Sequence, residues 1–433
     1  MKEAKEYAKD LISFINKSGS SYQAVSASKE RLLKNGFKEI KEEDTWDLKK
    51  EGKYFYTKNM SGFIAFKIGI GELEKEGYKI VGCHSDTPTL RIKPSPEIIS
   101  ENSYIKLNVE VYGGPILNTF LDRPLSIAGR VSLVSDNPLK PDIRLVDIRK
   151  PVVIIPNLAI HMNRTVNKGI ELNPQKDMLP LLGLVSEKLE KNDYLIRILS
   201  KELGVNKEDI LSFDLFLYEW NEGCLLGMDE EFISSSKLDD LSSVHAGLEA
   251  IVNNESGKGV QVLACFDNEE VGSRTDQGAD STFLSTALER IAIALGKTKE
   301  EYYRALANSF IISSDSAHAV HPNVADKSDP TNRPTINKGV AVKISANKKY
   351  TSDSESIAVY ELICKKAGIP YQTFVNRSDE IGGSTIGPIT AGHLSIRSVD
   401  IGTPILAMHS IRELGGVLDH YYLLKSFISF YNL

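Results

Sequence analysis

Five short stretches of the chain each set a metal-competent side chain where an apolar run stops or a helical stripe begins. They are His84 with Asp86, Asp239 with Asp240, Glu269 with Glu270, Asp315, and His409. Taken singly, each has an ordinary reading: a surface turn, a helix-capping acid pair, a solvated Glu-Glu face, a hydrogen-bonded core histidine. Together, in a chain with only eight histidines, they point elsewhere, because a carboxylate carried into an apolar run is costly unless it is paired or binds metal. Two imidazoles, one shared acid and one further acid per metal suit two zinc-like ions, with room for a shared water or hydroxide. Two adjacent glutamates can divide labour, one ligating and the other acting as general base. Asp86, two residues after His84, is placed to orient the imidazole. The implied chemistry is metal-assisted hydrolysis. Zinc is the first candidate metal, with cobalt or manganese as alternatives, since all accept nitrogen and oxygen ligands.

These side chains need elements to hold them. In parallel α/β sheets, ligands bind beyond the carboxyl ends of the strands. The runs that end at His84, Glu269, Asp315 and His409 fit that placement. Asp239 instead opens the stripe Leu241, Val244, Leu248 and Ile251, where free helix N–H groups favour a carboxylate. The spacing predicts helices near residues 4–15, 24–33, 283–295, 357–367 and 414–428, and strands near 53–57, 62–68, 78–83, 260–266, 310–313 and 405–408. Between about residues 92 and 231 the texture changes. Alternating stretches at 105–112, 127–134 and 143–146 predict an antiparallel, β-rich unit that also carries a helix near 178–189. The expected fold is α/β: a mixed, mostly parallel sheet flanked by helices, formed by residues 1–91 and 232–433, with an inserted β-rich domain at 92–231.

Composition narrows the function classes. Of 433 residues, 41% are hydrophobic and 25% charged, which is ordinary globular usage and excludes wholesale disorder. Fifty-two basic against 58 acidic residues give a net charge of −6, which argues against nucleic acid as the main partner. No apolar run approaches the roughly 20 residues of a membrane span. The opening MKEAKEYAKD lacks the apolar core of a signal peptide. The four cysteines are far apart, and Cys83 and Cys265 read as reduced core thiols. A cytoplasmic location is the expectation.

The strings GCHSDTP, SSKLDD, CFDNEEVGS, SSDSAHAVHPN and AMHSIRE resemble segments of the aspartyl aminopeptidase and aminopeptidase I family of dizinc metallopeptidases. VYGGPILNTFLDRPLSIAGR and PNLAIHMNR resemble that family's inserted domain. The resemblance runs in order along the whole chain. It implies His84, Asp239 and Asp315 around one metal, and Asp239, Glu270 and His409 around the other. It further implies Glu269 as general base, Asp86 as the orienting acid, and His161 reaching a neighbouring subunit's active site to hold substrate. It implies dimers, made through the inserted domain, that assemble into tetrahedral dodecamers. KGVAVKIS resembles the segment where a lysine, here Lys343, meets an acidic first residue of the substrate. On residues alone, His161 reads as a packed histidine and Lys343 as an exposed strand lysine.

The expected activity is removal of N-terminal residues from peptides with a free N-terminus through a metal-bridged hydroxide, with acidic Asp or Glu N-termini preferred. The alternatives are a neutral, Leu-type aminopeptidase, or a related dinuclear carboxypeptidase or deacylase. A catalytically silent metal-binding protein is the rival from another class. Glu269 beside Glu270 argues against silence, because a structural site needs no spare carboxylate.

Overall fold

The apolar runs Tyr78–His84, Val260–Phe266 and Phe310–Ser314 lie side by side as parallel strands in the computed structural model, with Arg397–Gly402 parallel beside them. The structure describes residues 1–185, 193–255 and 257–433. The first three of these strands are buried along their whole length, as expected for strands covered on both faces. They form the middle of a nine-stranded sheet. Antiparallel pairs enter on both sides: Gly62–Lys67 against Val260–Phe266, and Val340–Ile344 against Arg397–Gly402. The sheet is therefore mixed with a parallel centre.

Alternate side chains of the same strands feed two separate cores. Val81, Cys83, Leu263 and Cys265 pack with helices Lys2–Asn16, Ser21–Lys34, Leu238–Asn253, Ser354–Ala367 and Val417–Tyr431. Ile80, Val262, Ala264 and Phe266 face the other way, onto Phe283–Ala294, Lys299–Ala307 and Ile386–Leu394. The period of two along each strand thus builds a three-layer sandwich. Cys83 and Cys265 are buried free thiols within it.

A second, six-stranded sheet is drawn wholly from residues between 89 and 219, in the order Asp142–Asp147, Leu125–Leu133, Ile210–Glu219, Thr89–Ser100, Tyr104–Tyr112 and Leu181–Leu184. All its pairings are antiparallel. Its own core includes Leu90, Leu107, Ile127, Leu215 and, from helix Tyr194–Leu203, Leu195 and Leu199. A smaller five-stranded sheet includes Phe232–Ser235, Glu413–Gly416 and Pro404–Leu406.

Two expected elements differ. The helix expected near 178–189 is, over Leu181–Leu184, an edge strand against Tyr104–Tyr112. Pro180 and Gly183 disfavour a helix there, and as a strand it pairs with Tyr104–Tyr112 while Leu182 packs against the second core. Residues 186–192 of that expectation lie outside the described residues. The last helix starts at Val417, because Glu413–Gly416 pairs with Phe232–Ser235 before the chain turns helical. Among the described residues, no helix is long and apolar enough to cross a membrane.

Candidate active site

The predicted side chains converge beyond the carboxyl ends of the parallel strands. His84 ends its strand, and Asp86 follows it. Glu269 and Glu270 begin a single 3₁₀ turn, Glu269–Val271, just after Val260–Phe266. Asp315 follows Phe310–Ser314, and His409 lies in the loop after Pro404–Leu406. Asp239 and Asp240 sit at the start of Leu238–Asn253, where the backbone is not yet helical.

Asp239 is the centre. Its Oδ1 lies 3.9 Å from His84 Nε2, and its Oδ2 lies 3.4 Å from His409 Nε2. Glu270 Oε2 is 3.5 Å from the same His409 nitrogen. Ligand atoms of His84, Asp239 and Asp315 fall within 4.8 Å of one another, and so do those of Asp239, Glu270 and His409. Two three-residue groups therefore share one carboxylate. Glu269 groups in the same way with His84 and Glu270.

Both imidazoles are oriented alike. His84 Nδ1 lies 3.0 Å from the Asp86 carbonyl, and His409 Nδ1 lies 3.1 Å from the Gly114 carbonyl. A carbonyl only accepts, so each Nδ1 donates, which leaves each Nε2 as the ring nitrogen on the Asp239 side and the atom available to a metal. The orienting contact from Asp86 to His84 is thus made by the backbone oxygen, with its carboxylate farther away at 3.4 Å. That carboxylate accepts instead from the amides of Glu269 (3.1 Å) and Glu270 (3.2 Å) and from the Tyr112 hydroxyl (2.7 Å).

Three contributors, Glu413, Tyr112 and Gly114, carried no signal of their own in the sequence, whereas Asp240 was singled out with Asp239. Glu413, fully buried, accepts from the backbone N–H of both Asp239 and His409, at 3.0 and 2.8 Å. Asp240 accepts from the His84 amide at 3.2 Å. Tyr112 and Gly114 come from the six-stranded sheet and the segment after it. Glu413 and Tyr112 lie within the strings AMHSIRE and VYGGPILNTF, but nothing in their spacing pairs them with this site.

The electrostatics call for a cation. Burial, reinforced by the neighbouring acids, pushes the Glu269 carboxyl up to about 8 and raises Glu270, Asp240 and Asp315 above the usual carboxylate range. For Asp239 burial pulls upward too, but the His409 hydrogen bond and the His84 charge prevail and lower it to about 2. Three carboxylate oxygens, Asp239 Oδ1, Asp240 Oδ1 and Glu270 Oε1, are buried with no hydrogen-bond partner. Unpartnered buried carboxylate oxygens in a cluster that also holds two imidazole nitrogens fit divalent cations with nitrogen and oxygen ligands.

A cavity of about 510 Å³ opens beside the cluster. Asp239, Glu269, Glu270, Asp315 and His409 form one wall, and Tyr350, Phe374, Ile389 and Met408 supply apolar surface. Lys343 lines the same cavity, buried rather than exposed on its strand, with Nζ 3.3 Å from Asp315 Oδ1 and 5.4 Å from the Tyr350 ring centre. His318 also lines it, edge-on to Phe374. His161 does not join the cluster. It stands exposed in a turn at residues 159–162 and is not packed as its residue type alone suggested.

Comparison with known proteins follows the same lines. The model of the aminopeptidase I zinc metalloprotease family (M18) matches residues 14–431. A "Probable M18 family aminopeptidase 2" of Clostridium acetobutylicum is 60% identical over 433 residues, covering 100% of both chains. Among solved structures, a chain in the complex of Ape4 and Nbr1 aligns with a TM-score of 0.95 at 36% identity, covering 99% of this chain and 86% of that one. The S. cerevisiae mApe1 dodecamer aligns at 0.85 and 28% identity, covering 98% and 95%.

Proposed function

The chain belongs to the aminopeptidase I zinc metalloprotease family (M18) and is an aminopeptidase; from that premise we propose that it works through two divalent ions held around Asp239. The observation that carries this reading is the pair of three-residue groups sharing that carboxylate. His84, Asp239 and Asp315 would hold one ion, and Asp239, Glu270 and His409 the other. Such ions, when bound, supply Lewis acidity that acidifies water and polarises the peptide carbonyl.

The chain's own residues do the rest. Glu269 lines the cavity but is not needed as a ligand, so its carboxylate accepts the attacking water's proton and returns it to the leaving amine. Asp86 holds Glu269 and Glu270 by their amides, fixing the base relative to the ligands. The acidic wall favours the positively charged α-amine of a free N-terminus.

For side-chain preference we propose that Lys343 receives an acidic first residue, since it supplies a buried ammonium to the cavity. A neutral preference is the second reading. It is favoured by Asp315, which already faces that ammonium, and by the apolar walls from Phe374 and Met408. Hydrolysis of Asp-, Glu- and Leu-p-nitroanilides, with and without chelator and against N-acetylated controls, tests both. Turnover of blocked substrates would overturn the reading of the site as specific for a free N-terminus.

We further propose that residues 92–231 are the assembly domain of a homo-oligomer of dodecameric, tetrahedral form, and that His161 completes a neighbouring subunit's site. The support is the exposed apolar run beside His161, with Leu158, Ile160 and Met162 at 51%, 49% and 73% exposure, together with the dodecamer of the S. cerevisiae relative. Cytoplasmic residence remains the reading from the sequence.

A further inference from the structure

We infer that residues 112–114, where the six-stranded sheet meets the catalytic centre, hold the Glu269–Glu270 turn in its working position, with Tyr112 as a positioning residue acting through Asp86. The inference rests on the roles proposed above for Glu269 and Glu270. One hydroxyl brackets the turn from two sides. Tyr112 donates to Asp86 Oδ2 at 2.7 Å and accepts from Asn268 Nδ2 at 2.8 Å. Asp86 in turn accepts the amides of Glu269 and Glu270. Asn268 is the residue just before the turn, in the left-handed region at φ 61°. Its side-chain oxygen is also engaged, by Thr275 and Gln277 at 2.9 and 3.0 Å.

The two residues that follow reinforce the assignment. Gly113 has φ 70°, and a Cβ placed there would sit 3.1 Å from the Glu270 Cβ, so any other residue would be strained in its backbone and would press on Glu270. The Gly114 carbonyl fixes His409. Three consecutive residues thus touch the orienting acid, one predicted ligand and a second predicted ligand. Space-filling does not explain the tyrosine. Its ring is edge-on to Phe216 at 5.5 Å, and both rings border a cavity of about 400 Å³. What distinguishes it from phenylalanine is the two hydrogen bonds of its hydroxyl.

The test is Tyr112→Phe in the full-length protein, alone and with Glu269→Gln. Zinc affinity is measured by competition with a chromogenic chelator, and kcat and KM at saturating zinc. Outer partners of metal ligands typically contribute about 10–100-fold. The expected result is zinc binding weakened at least about tenfold and kcat lowered by a similar factor, with KM within about threefold. In the Glu269→Gln background the substitution should lower kcat no further. Parental zinc affinity and kcat would overturn the inference, as would a loss confined to KM or an equal fractional loss in the Glu269→Gln background. Should Tyr112→Phe not fold, Asn268→Ala removes the other arm of the bracket; parental zinc affinity and kcat there would likewise overturn it. A fully active Glu269→Gln would remove the general-base role by itself, and the zinc affinity of Tyr112→Phe would still decide the positioning role.

Discussion

At the scale of single residues, the proposed mechanism separates groups that bind from groups that move protons. Glu269→Gln keeps size and shape but removes the proton acceptor. It should lower kcat about 10²–10⁴-fold while zinc content stays at the parental value, as read by steady-state kinetics with metal analysis of the same sample. Turnover within a few-fold of the parent would move the base to another group. Lys343→Met tests substrate choice. An ammonium is a compact point charge that meets a carboxylate without the fork geometry of arginine, and a charge-assisted bond in a desolvated pocket contributes about 1.5–3 kcal/mol. The expected outcome is a roughly ten- to hundredfold fall in kcat/KM on Asp and Glu substrates with Leu unchanged. An equal fall on all three would mean that the lysine serves Asp315, 3.3 Å away. The predicted ligands were legible because each stands where an apolar run stops or, for Asp239, where a helical stripe begins. Glu413 was not, since its partner Asp239 is 174 positions away and the bond goes to a backbone amide that no side-chain pattern reports.

At the scale of elements, helix Leu238–Asn253 joins the centre to the body of the protein. Its first turn carries Asp239 and Asp240, and its last carbonyls need partners. Lys67, almost completely buried on the strand Gly62–Lys67, donates to the carbonyls of Val252 (3.4 Å) and Asn254. A cation at a helix C-terminus is favoured by the dipole, yet burial pulls its ammonium down to about 8. In the unfolded chain the same group titrates near 10.4. Between those values the unfolded state binds more protons, so this residue's contribution to stability rises with pH and levels off above the unfolded value. Relative to Lys67→Met, the parent should gain about 1–3 kcal/mol in urea unfolding between pH 7.5 and 10. A difference that stays constant with pH would contradict this. Central strands were legible as continuous apolar runs. The edge strand Leu181–Leu184 was not, because its leucines also satisfy a helical period and only pairing with the distant strand Tyr104–Tyr112 decides between them.

At the scale of the whole molecule, the proposed assembly through residues 92–231 rests on the exposed apolar side chains Leu158, Ile160 and Met162. Light scattering at micromolar concentration should give a mass well above the 47.9 kDa of one chain, and Ile160→Asp with Met162→Asp should reduce it. A parental protein that is monomeric would contradict the assembly and remove the basis for His161 acting across subunits. Chelation should abolish turnover and lower the melting temperature, because the clustered buried carboxylates lose their counter-charge. The central claim is that two ions share Asp239. Its most direct test is anomalous diffraction at the zinc edge from zinc-loaded crystals. The account predicts two peaks about 3.5–4 Å apart, both within about 2.0–2.2 Å of Asp239 oxygens, one shared with His84 and Asp315 and the other with Glu270 and His409. A single peak, or two peaks with Asp239 outside the coordination sphere of either, would contradict it.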